Sequence, residues 1–217
     1  MKPQLTAVTF DLDGLLINSE DVYLDLGNEI LARRGKTYDD GLRDAMLGRP
    51  ARDALRAMIE WHQLSDTIEA LGAECDEVFW QLAHNRLRPM PGVLELLDLL
   101  DQRTLPRGVA TSGSREYAER ALSEIGIRSR FDFVLTADDV THGKPAPEVY
   151  LLAAQRHDVN PVNMLVLEDS PNGCKAGLAA GAFTVAVPSP HTLGSEFPAV
   201  AFAADTLRDP QLLALLA

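Results

Sequence analysis

Two carboxylates, Asp11 and Asp13, follow the first predicted strand of this chain with a single residue between them. Thr6 to Phe10 is a short apolar and β-branched run without a charge, which predicts a buried strand. Because residues i and i+2 of an extended chain project to the same side, both carboxylates can converge on one point. Two acids at the end of a buried strand are costly unless a cation binds them. The alternative is a plain acidic turn, which Gly14 would also suit.

Three further polar segments follow later predicted strands. They are Thr111-Ser112-Gly113-Ser114, Gly143-Lys144-Pro145 and Glu168-Asp169-Ser170-Pro171-Asn172-Gly173. Each has an ordinary explanation: the hydroxyls can cap a helix, the lysine can be an exposed loop residue, and the second acidic pair can form a turn. Ligands of open parallel sheets bind at the carboxyl ends of the strands, where all four segments would meet. Their joint occurrence predicts a site of acids, hydroxyls and one lysine.

From Arg88 onward, strand-like and helix-like segments alternate, which predicts βαβ units. We expect an α/β fold with a Rossmann-like, mostly parallel sheet and helices on both faces. The expected strands are 107–111, 133–136, 164–167 and 183–187, with a further edge strand at 199–204. The expected helices are 114–125, 147–157, 173–180 and 210–216, together with a Leu-rich helix from Pro91-Gly92 through Leu100.

Between Ser19 and Arg88 the chain shows helical periodicity and no convincing strand. The expected helices run from 19 to about 34, from 51 to 61 and from about 65 to 85. Gly48-Arg49-Pro50 is a break before the helix at 51–61, and Gly72 is a possible interruption of the helix at 65–85. The first strand has no covering helix of its own before this block. We therefore expect an inserted α-helical domain at 18–88 and an α/β core formed by 1–17 and 89–217.

The composition excludes several classes of partner. The 217 residues include 20 Lys plus Arg and 32 Asp plus Glu, a net charge of −12. Nucleic acids and anionic membranes require a basic face, so neither is an expected partner.

No apolar stretch is long enough for a bilayer span or a secretory leader. Cys75 and Cys174 form no CxxC pattern and are expected to remain reduced in a cytoplasmic protein, and since nothing indicates an obligate interface we expect a monomer.

The four polar segments together resemble the motifs of the haloacid dehalogenase superfamily of phosphohydrolases. Phe-Asp-Leu-Asp-Gly, Gly-Lys-Pro-Ala-Pro-Glu-Val-Tyr and Leu-Glu-Asp-Ser-Pro-Asn-Gly look most like its β-phosphoglucomutase-like branch, which consists mainly of sugar-phosphate and related phosphatases. The helical insertion matches the cap domain of that branch, so the resemblance spans essentially the whole chain. It implies hydrolysis of a small phosphorylated metabolite, a sugar phosphate or a nucleoside monophosphate.

The resemblance also implies roles for the acidic residues. Asp11 would be the nucleophile that forms an aspartyl-phosphate. Asp13 would be the general acid for the leaving alcohol and then the general base for water. Asp11, the main-chain carbonyl of Asp13 and Asp169 would bind Mg²⁺, with Glu168 close by.

The remaining motif residues would bind the phosphate. Lys144 would bridge the charges of the nucleophile and the phosphate. Thr111 or Ser112, together with the Gly113 amide, would hydrogen-bond a phosphoryl oxygen, and the sequence leaves open which hydroxyl does so. In the cap, Arg49 and Arg52 are the candidates for substrate contact, with two solvated arginines as the alternative.

Two departures from relatives bear on the reaction. Asn18 stands where many relatives have Asp, and we expect this to affect the hinge of the cap rather than activity. Tyr23 stands where the mutases of this branch have a histidine, and a phenol with a pKa of about 10 handles protons poorly near neutral pH. The sequence thus favours a phosphatase over a sugar phosphomutase. A catalytically silent binding domain is the third hypothesis, but such a protein would be expected to have lost an acid or the lysine.

Overall fold

Six short strands form one sheet in which every neighbouring pair runs parallel. The computed structural model describes residues 4–46, 49 and 51–216. In chain order the strands are β1 (Ala7–Phe10), β2 (Arg107–Ala110), β3 (Phe133–Leu135), β4 (Met164–Glu168), β5 (Phe183–Ala186) and β6 (Phe202–Ala203). All residues of β1 and β4 are buried, as expected for strands covered on both faces. The predicted α/β fold is confirmed.

The order of the strands places a topological switch point between β1 and β4. The sheet reads β3-β2-β1-β4-β5-β6, so the chain moves outward on one side of β1 and then returns to build the other side. Phe10 pairs with Leu167 across this junction, and the Asp11 amide donates to the Leu167 carbonyl at 3.0 Å. The first residues beyond these two paired positions, Asp11 and Glu168, are therefore neighbours, at the point where open α/β sheets bind ligands.

Nine helices accompany the sheet within the described residues. They are α1 (Ser19–Ala32), α2 (Asp40–Met46), α3 (Ala51–His62), α4 (Ile68–Ala83), α5 (Val93–Arg103), α6 (Arg115–Glu124), α7 (Glu148–Arg156), α8 (Pro171–Ala179) and α9 (Pro210–Leu216). Helix α7 packs on β2, β3 and α8, and its buried stripe is formed by Val149, Tyr150, Ala153 and Ala154. This stripe belongs to an apolar core that also contains Ala110, Leu135, Met164 and Val166 of the sheet.

The chain forms two compact units, one comprising the residues through Asn18 and from Arg88 onward, the other Ser19–Leu87. The second unit contains α1–α4, with contacts of α1 with α4, α2 with α3 and α3 with α4. Helix α4 runs through Gly72 without interruption and begins where the Thr67 hydroxyl accepts a hydrogen bond from the Ala70 amide. Helix α2 was not predicted. Of the expected break, Gly48 and Pro50 lie outside the described residues. A cap role for this unit stays a prediction.

Asn18 joins the two connecting segments where they leave and re-enter the first unit. The Arg88 amide donates to the Asn18 side-chain oxygen at 2.8 Å, and the Asn18 amide donates to the Arg88 carbonyl at 3.3 Å. Ile17 and Pro89 form an adjacent bridge. Asn18 is buried, and its side chain thus ties the outgoing and returning segments together by a hydrogen bond to the main chain.

None of the helices in the described part of the chain combines the length and the apolarity that crossing a membrane requires.

Replacing Asn18 by Ala should lower the free energy of unfolding by about 1 kcal/mol, the net contribution of a typical hydrogen bond, because the Arg88 amide loses its acceptor. Denaturant unfolding followed by circular dichroism measures this. Asn28→Ala is the matched control, since Asn28 is exposed and its amide donates only within helix α1, to the Leu24 carbonyl. It should change stability by no more than about 0.5 kcal/mol. Equal effects of the two substitutions would contradict the role assigned to Asn18.

Candidate active site

Three buried acids meet where β1 and β4 end. One carboxylate oxygen from each of Asp11, Glu168 and Asp169 lies within 4.8 Å of the others. Asp11 and Asp169 directly follow β1 and β4, while Glu168 is the last residue of β4. The parallel pairing of the two strands is what brings these residues together. Three carboxylate oxygens at this spacing form a suitable donor set for a hard divalent cation.

The buried side chain of Lys144 lies between two of these acids. Its Nζ donates to Asp11 Oδ1 at 2.5 Å, to Glu168 Oε1 at 2.6 Å and to the Ala110 carbonyl at 2.8 Å. These bonds use all three ammonium hydrogens. Burial, the largest single influence, lowers the pKa of Lys144, but the charges of Asp11 and Glu168 together raise it above its ordinary value. The lysine therefore stays protonated, and its three hydrogen bonds hold the ammonium group in one orientation.

The acids carry more negative charge than this one lysine neutralises. Burial raises the pKa of Asp11 most strongly, Lys144 lowers it, and the charges of Glu168 and Asp13 raise it again. The net result is a pKa well above the usual range of an aspartate. A buried group in this condition is stabilised by any further cation nearby. The electrostatics thus agree with the donor geometry.

Glu168 is anchored by several hydroxyl and ammonium donors. Its Oε1 accepts a hydrogen bond from Tyr150 Oη at 2.6 Å in addition to the one from Lys144. Its Oε2 accepts from the Ser170 hydroxyl at 3.0 Å, and that hydroxyl also caps helix α8. Burial and the Glu168 charge raise the pKa of Tyr150, so its phenol remains a donor. The motif Gly-Lys-Pro-Ala-Pro-Glu-Val-Tyr ends in Tyr150, but sequence reasoning gave this tyrosine no role, since its partner Glu168 lies 18 positions away.

Two glycines allow the backbone to approach the acids closely. Gly14 has a φ of +77°, and a Cβ atom there would lie 2.3 Å from Asp169 Oδ2. A Cβ atom at Gly173 would lie 1.7 Å from Glu168 Oε1. Any larger residue at either position would displace a carboxylate of the cluster. The glycines at the ends of the two acidic motifs are therefore required by space, and Gly14 also by its backbone conformation.

Asp13 lies at the same end of the sheet but faces the loop after β2. Its Oδ2 accepts a hydrogen bond from the Thr111 hydroxyl at 3.3 Å, and its Oδ1 accepts one from the Tyr117 hydroxyl. The Thr111 oxygen also accepts from the Gly113 amide at 3.0 Å. Thr111 is buried and occupied by these bonds, whereas Ser112 is exposed. The predicted binding of phosphate by this loop is not tested by the geometry and stays a prediction.

Several residues outside the motifs support the cluster or lie near it. The Thr192 hydroxyl donates to the Asp169 carbonyl at 2.7 Å and accepts from the Ser189 amide at 2.9 Å, a contact that sequence reasoning missed.

Cys174 is fully buried, and burial together with the charges of Glu168 and Asp169 raises the pKa of its thiol. A protonated, buried thiol is a poor nucleophile. Cys174 is therefore a packed core residue and not a nucleophile.

Arg49 and Arg52 belong to the second unit. Arg49 is exposed, and Arg52 Nη2 lies 3.1 Å from Glu69 Oε1 in an exposed ion pair. These are the surroundings of solvated surface side chains. Contact of either arginine with a substrate stays a prediction.

Replacing Gly173 by Ala should lower the free energy of unfolding by about 1–3 kcal/mol, the usual cost of overpacking. The added methyl would displace the Glu168 carboxylate, which is held by Lys144, Tyr150 and Ser170 and so cannot move without losing those bonds. Urea unfolding measures the change. In the control, Gly194→Ala, the new atom would meet nothing within 4 Å, so stability should stay close to wild type. Indistinguishable unfolding of the two variants would refute the packing argument.

Known proteins resemble this chain over most of its length. The validoxylamine A 7'-phosphate phosphatase of Streptomyces hygroscopicus subsp. limoneus is 39% identical over 188 residues, which cover 84% of this chain and 85% of that protein. The phosphorylated carbohydrates phosphatase of Thermotoga maritima is 31% identical over 177 residues, 82% of each chain. The crystal structure of CbbY from Rhodobacter sphaeroides in complex with phosphate has a TM-score of 0.85 at 26% identity, covering 98% of this chain and 99% of that one.

The family match covers the residues described above. A sequence model of the haloacid dehalogenase-like hydrolases matches residues 8–187, from β1 to the end of β5. This range contains all four polar segments at the carboxyl end of the sheet. The resemblance seen in the sequence is confirmed, and the chain belongs to the haloacid dehalogenase-like hydrolases.

Proposed function

We propose that this protein is a phosphoric monoester hydrolase that transfers the phosphoryl group of a small phosphorylated metabolite to Asp11 and then to water. The observation that carries this proposal is the buried cluster of Asp11, Lys144, Glu168 and Asp169, which combines a carboxylate nucleophile with fixed positive charge. The names of the two curated relatives, both phosphatases, support the same reaction. They also favour a phosphorylated sugar or a similar polyol as substrate.

The charge of the reactants explains why Lys144 is needed. A phosphate monoester is an anion, so a carboxylate that attacks it meets electrostatic repulsion. A positive charge that is already fixed in place lowers this barrier without reorganisation during the reaction. Lys144 meets that condition, because Asp11, Glu168 and the Ala110 carbonyl hold its ammonium group. We assign to it the bridging of the nucleophile and the bound phosphate.

The donor set fits a divalent cation, for which we propose Mg²⁺ because all the available ligands are oxygens. Asp11 and Asp169 would hold it together with the main-chain carbonyl of Asp13. Glu168 lies within the same cluster, but its oxygens already receive hydrogen bonds from Lys144, Tyr150 and Ser170. The cation, when bound, would offset the charge of the nucleophile and the phosphate.

Two steps complete the reaction. In the first, a carboxylate oxygen of Asp11 bonds to phosphorus, the bond to the leaving oxygen breaks, and the Asp13 carboxyl gives its proton to that oxygen. In the second, Asp13 accepts a proton from water as the water oxygen bonds to phosphorus and the bond to Asp11 breaks. Ser112, which is exposed in the loop after β2, is the hydroxyl that we assign to a phosphoryl oxygen.

Replacing Asp11 by Asn should abolish release of inorganic phosphate, because the amide cannot form the aspartyl-phosphate. The wild-type protein and the variant are incubated with Mg²⁺ and a panel of sugar phosphates and nucleoside monophosphates, and products are followed by phosphorus NMR. Asp158→Asn, at an exposed position that belongs to none of the four motifs, is the matched control and should retain wild-type turnover.

The same spectra separate the phosphatase from its rivals. The proposal requires inorganic phosphate from at least one ester. An isomeric sugar phosphate without inorganic phosphate would identify a phosphomutase, and the absence of any reaction across the panel would favour a silent binding domain. Turnover retained by Asp11→Asn would reject the assigned nucleophile.

Addition of Mg²⁺ should raise the midpoint of thermal unfolding, since binding to the native acid cluster stabilises the folded state. At a concentration about 100 times the dissociation constant, the gain is about 2.7 kcal/mol, or roughly 5–10 °C for a chain of this size. Differential scanning fluorimetry with Mg²⁺ or with EDTA measures the shift. Asp169→Asn should largely remove it, and Asp158→Asn should leave it intact. A shift of equal size in both variants would place the cation elsewhere.

A further inference from the structure

Tyr117 contacts a functional carboxylate from outside the four motifs. It lies in the first turn of α6, and its hydroxyl donates a hydrogen bond to Asp13 Oδ1. The Thr111 hydroxyl donates to the other oxygen, Oδ2, at 3.3 Å. Both oxygens of Asp13 are thus contacted from the loop and helix that follow β2. An aspartate that is only half-buried gains a defined orientation from two such contacts.

The position of Tyr117 is itself fixed by its neighbours. Its amide donates to the Ser114 hydroxyl, which caps α6, at 3.3 Å. Its ring lies against Gly113, where an added Cβ atom would come within 2.8 Å of Tyr117 Cδ1. Gly113 thus provides the space that the ring needs to reach Asp13. These contacts hold the phenol in one place before any substrate arrives.

We infer that Tyr117 is a positioning residue that orients the Asp13 carboxyl group for proton transfer to the leaving oxygen. This inference rests on the proposed function, in which Asp13 is the general acid and then the general base. A hydroxyl group suits the task, because it can donate to a carboxylate and can rotate to accept from a carboxylic acid. Tyr117 and Thr111 can therefore hydrogen-bond to Asp13 both as a carboxylate and as a carboxylic acid. An ammonium or guanidinium group has no acceptor and could not bond to the proton of the acid.

Orientation of the general acid matters only when the leaving group needs a proton. An alkyl phosphate releases an unstable alkoxide, so its cleavage depends on Asp13. The 4-nitrophenolate ion is stable without protonation, so transfer of its phosphoryl group to Asp11 does not depend on Asp13. The ratio kcat/KM includes only the steps through this first transfer, because the alcohol departs there. Comparison of the two esters thus isolates the role of Tyr117.

The test is Tyr117→Phe, which keeps the ring on Gly113 and removes the hydroxyl. We expect kcat/KM for glycerol phosphate, or for the best alkyl substrate of the panel, to fall about 10- to 100-fold, the effect of a misplaced catalytic group. For 4-nitrophenyl phosphate we expect less than about a threefold change in kcat/KM, together with a lower kcat, because Asp13 still has to activate water. Retained kcat/KM for this ester also shows that the variant is folded.

Ser123→Ala is the control on the same helix, since the Ser123 hydroxyl is exposed and donates to the Glu119 carbonyl. It should leave both esters unaffected. Equal losses for the two esters in Tyr117→Phe, or no loss for either, would overturn the inference while leaving the phosphatase proposal intact. Failure of the wild-type protein to hydrolyse any ester would instead reject the proposed function, and the inference with it.

Discussion

The buried ammonium group of Lys144 is the interaction on which the rest of the site depends. It bonds to Asp11 and Glu168 and to the Ala110 carbonyl, and these three acceptors belong to, or directly follow, three different strands. Removing one partner from a buried ion pair typically costs about 3–5 kcal/mol, because the remaining charge is left without compensation. The two carboxylates would also repel each other without the lysine. The lysine therefore holds together both the acid cluster and the strand ends that carry it.

The topology of the sheet determines which residues can take part in this interaction. Asp11 and Glu168 are 157 positions apart in the chain, yet β1 and β4 are adjacent because β2 and β3 are added on one side of β1 and β4 on the other. Both strands are wholly buried, so packing on both faces constrains their backbones and the carboxylates at their ends. The close approach at Gly14 and Gly173 then determines how near the backbone of the next segment can come. A buried charge cluster needs this rigidity, since small displacements would leave its members unpaired.

The motif residues could be predicted from the sequence because each interrupts an apolar strand pattern with charge or hydroxyl groups. The partners of those residues could not. Tyr150 and Tyr117 meet Glu168 and Asp13 across 18 and 104 positions, and a tyrosine in an amphipathic helix looks the same whether or not its hydroxyl has a partner. Helix α2 was missed for another reason: it has only seven residues and one buried side chain, Leu42, so no periodicity marks it.

The neighbouring acids Glu168 and Asp169 have different surroundings despite their similar chemistry. Glu168 ends β4 and accepts hydrogen bonds from Lys144, Tyr150 and Ser170, so its charge is largely used within the protein. Asp169 lies beyond the strand, with its carboxylate against the turn at Gly14 and its carbonyl bound by Thr192. Glu168 thus anchors the lysine, and Asp169 is the acid of the pair that the proposed function assigns to a cation. The hydrogen bonds already made by Glu168 therefore leave Asp169 as the acid of the pair that is better placed to bind a cation.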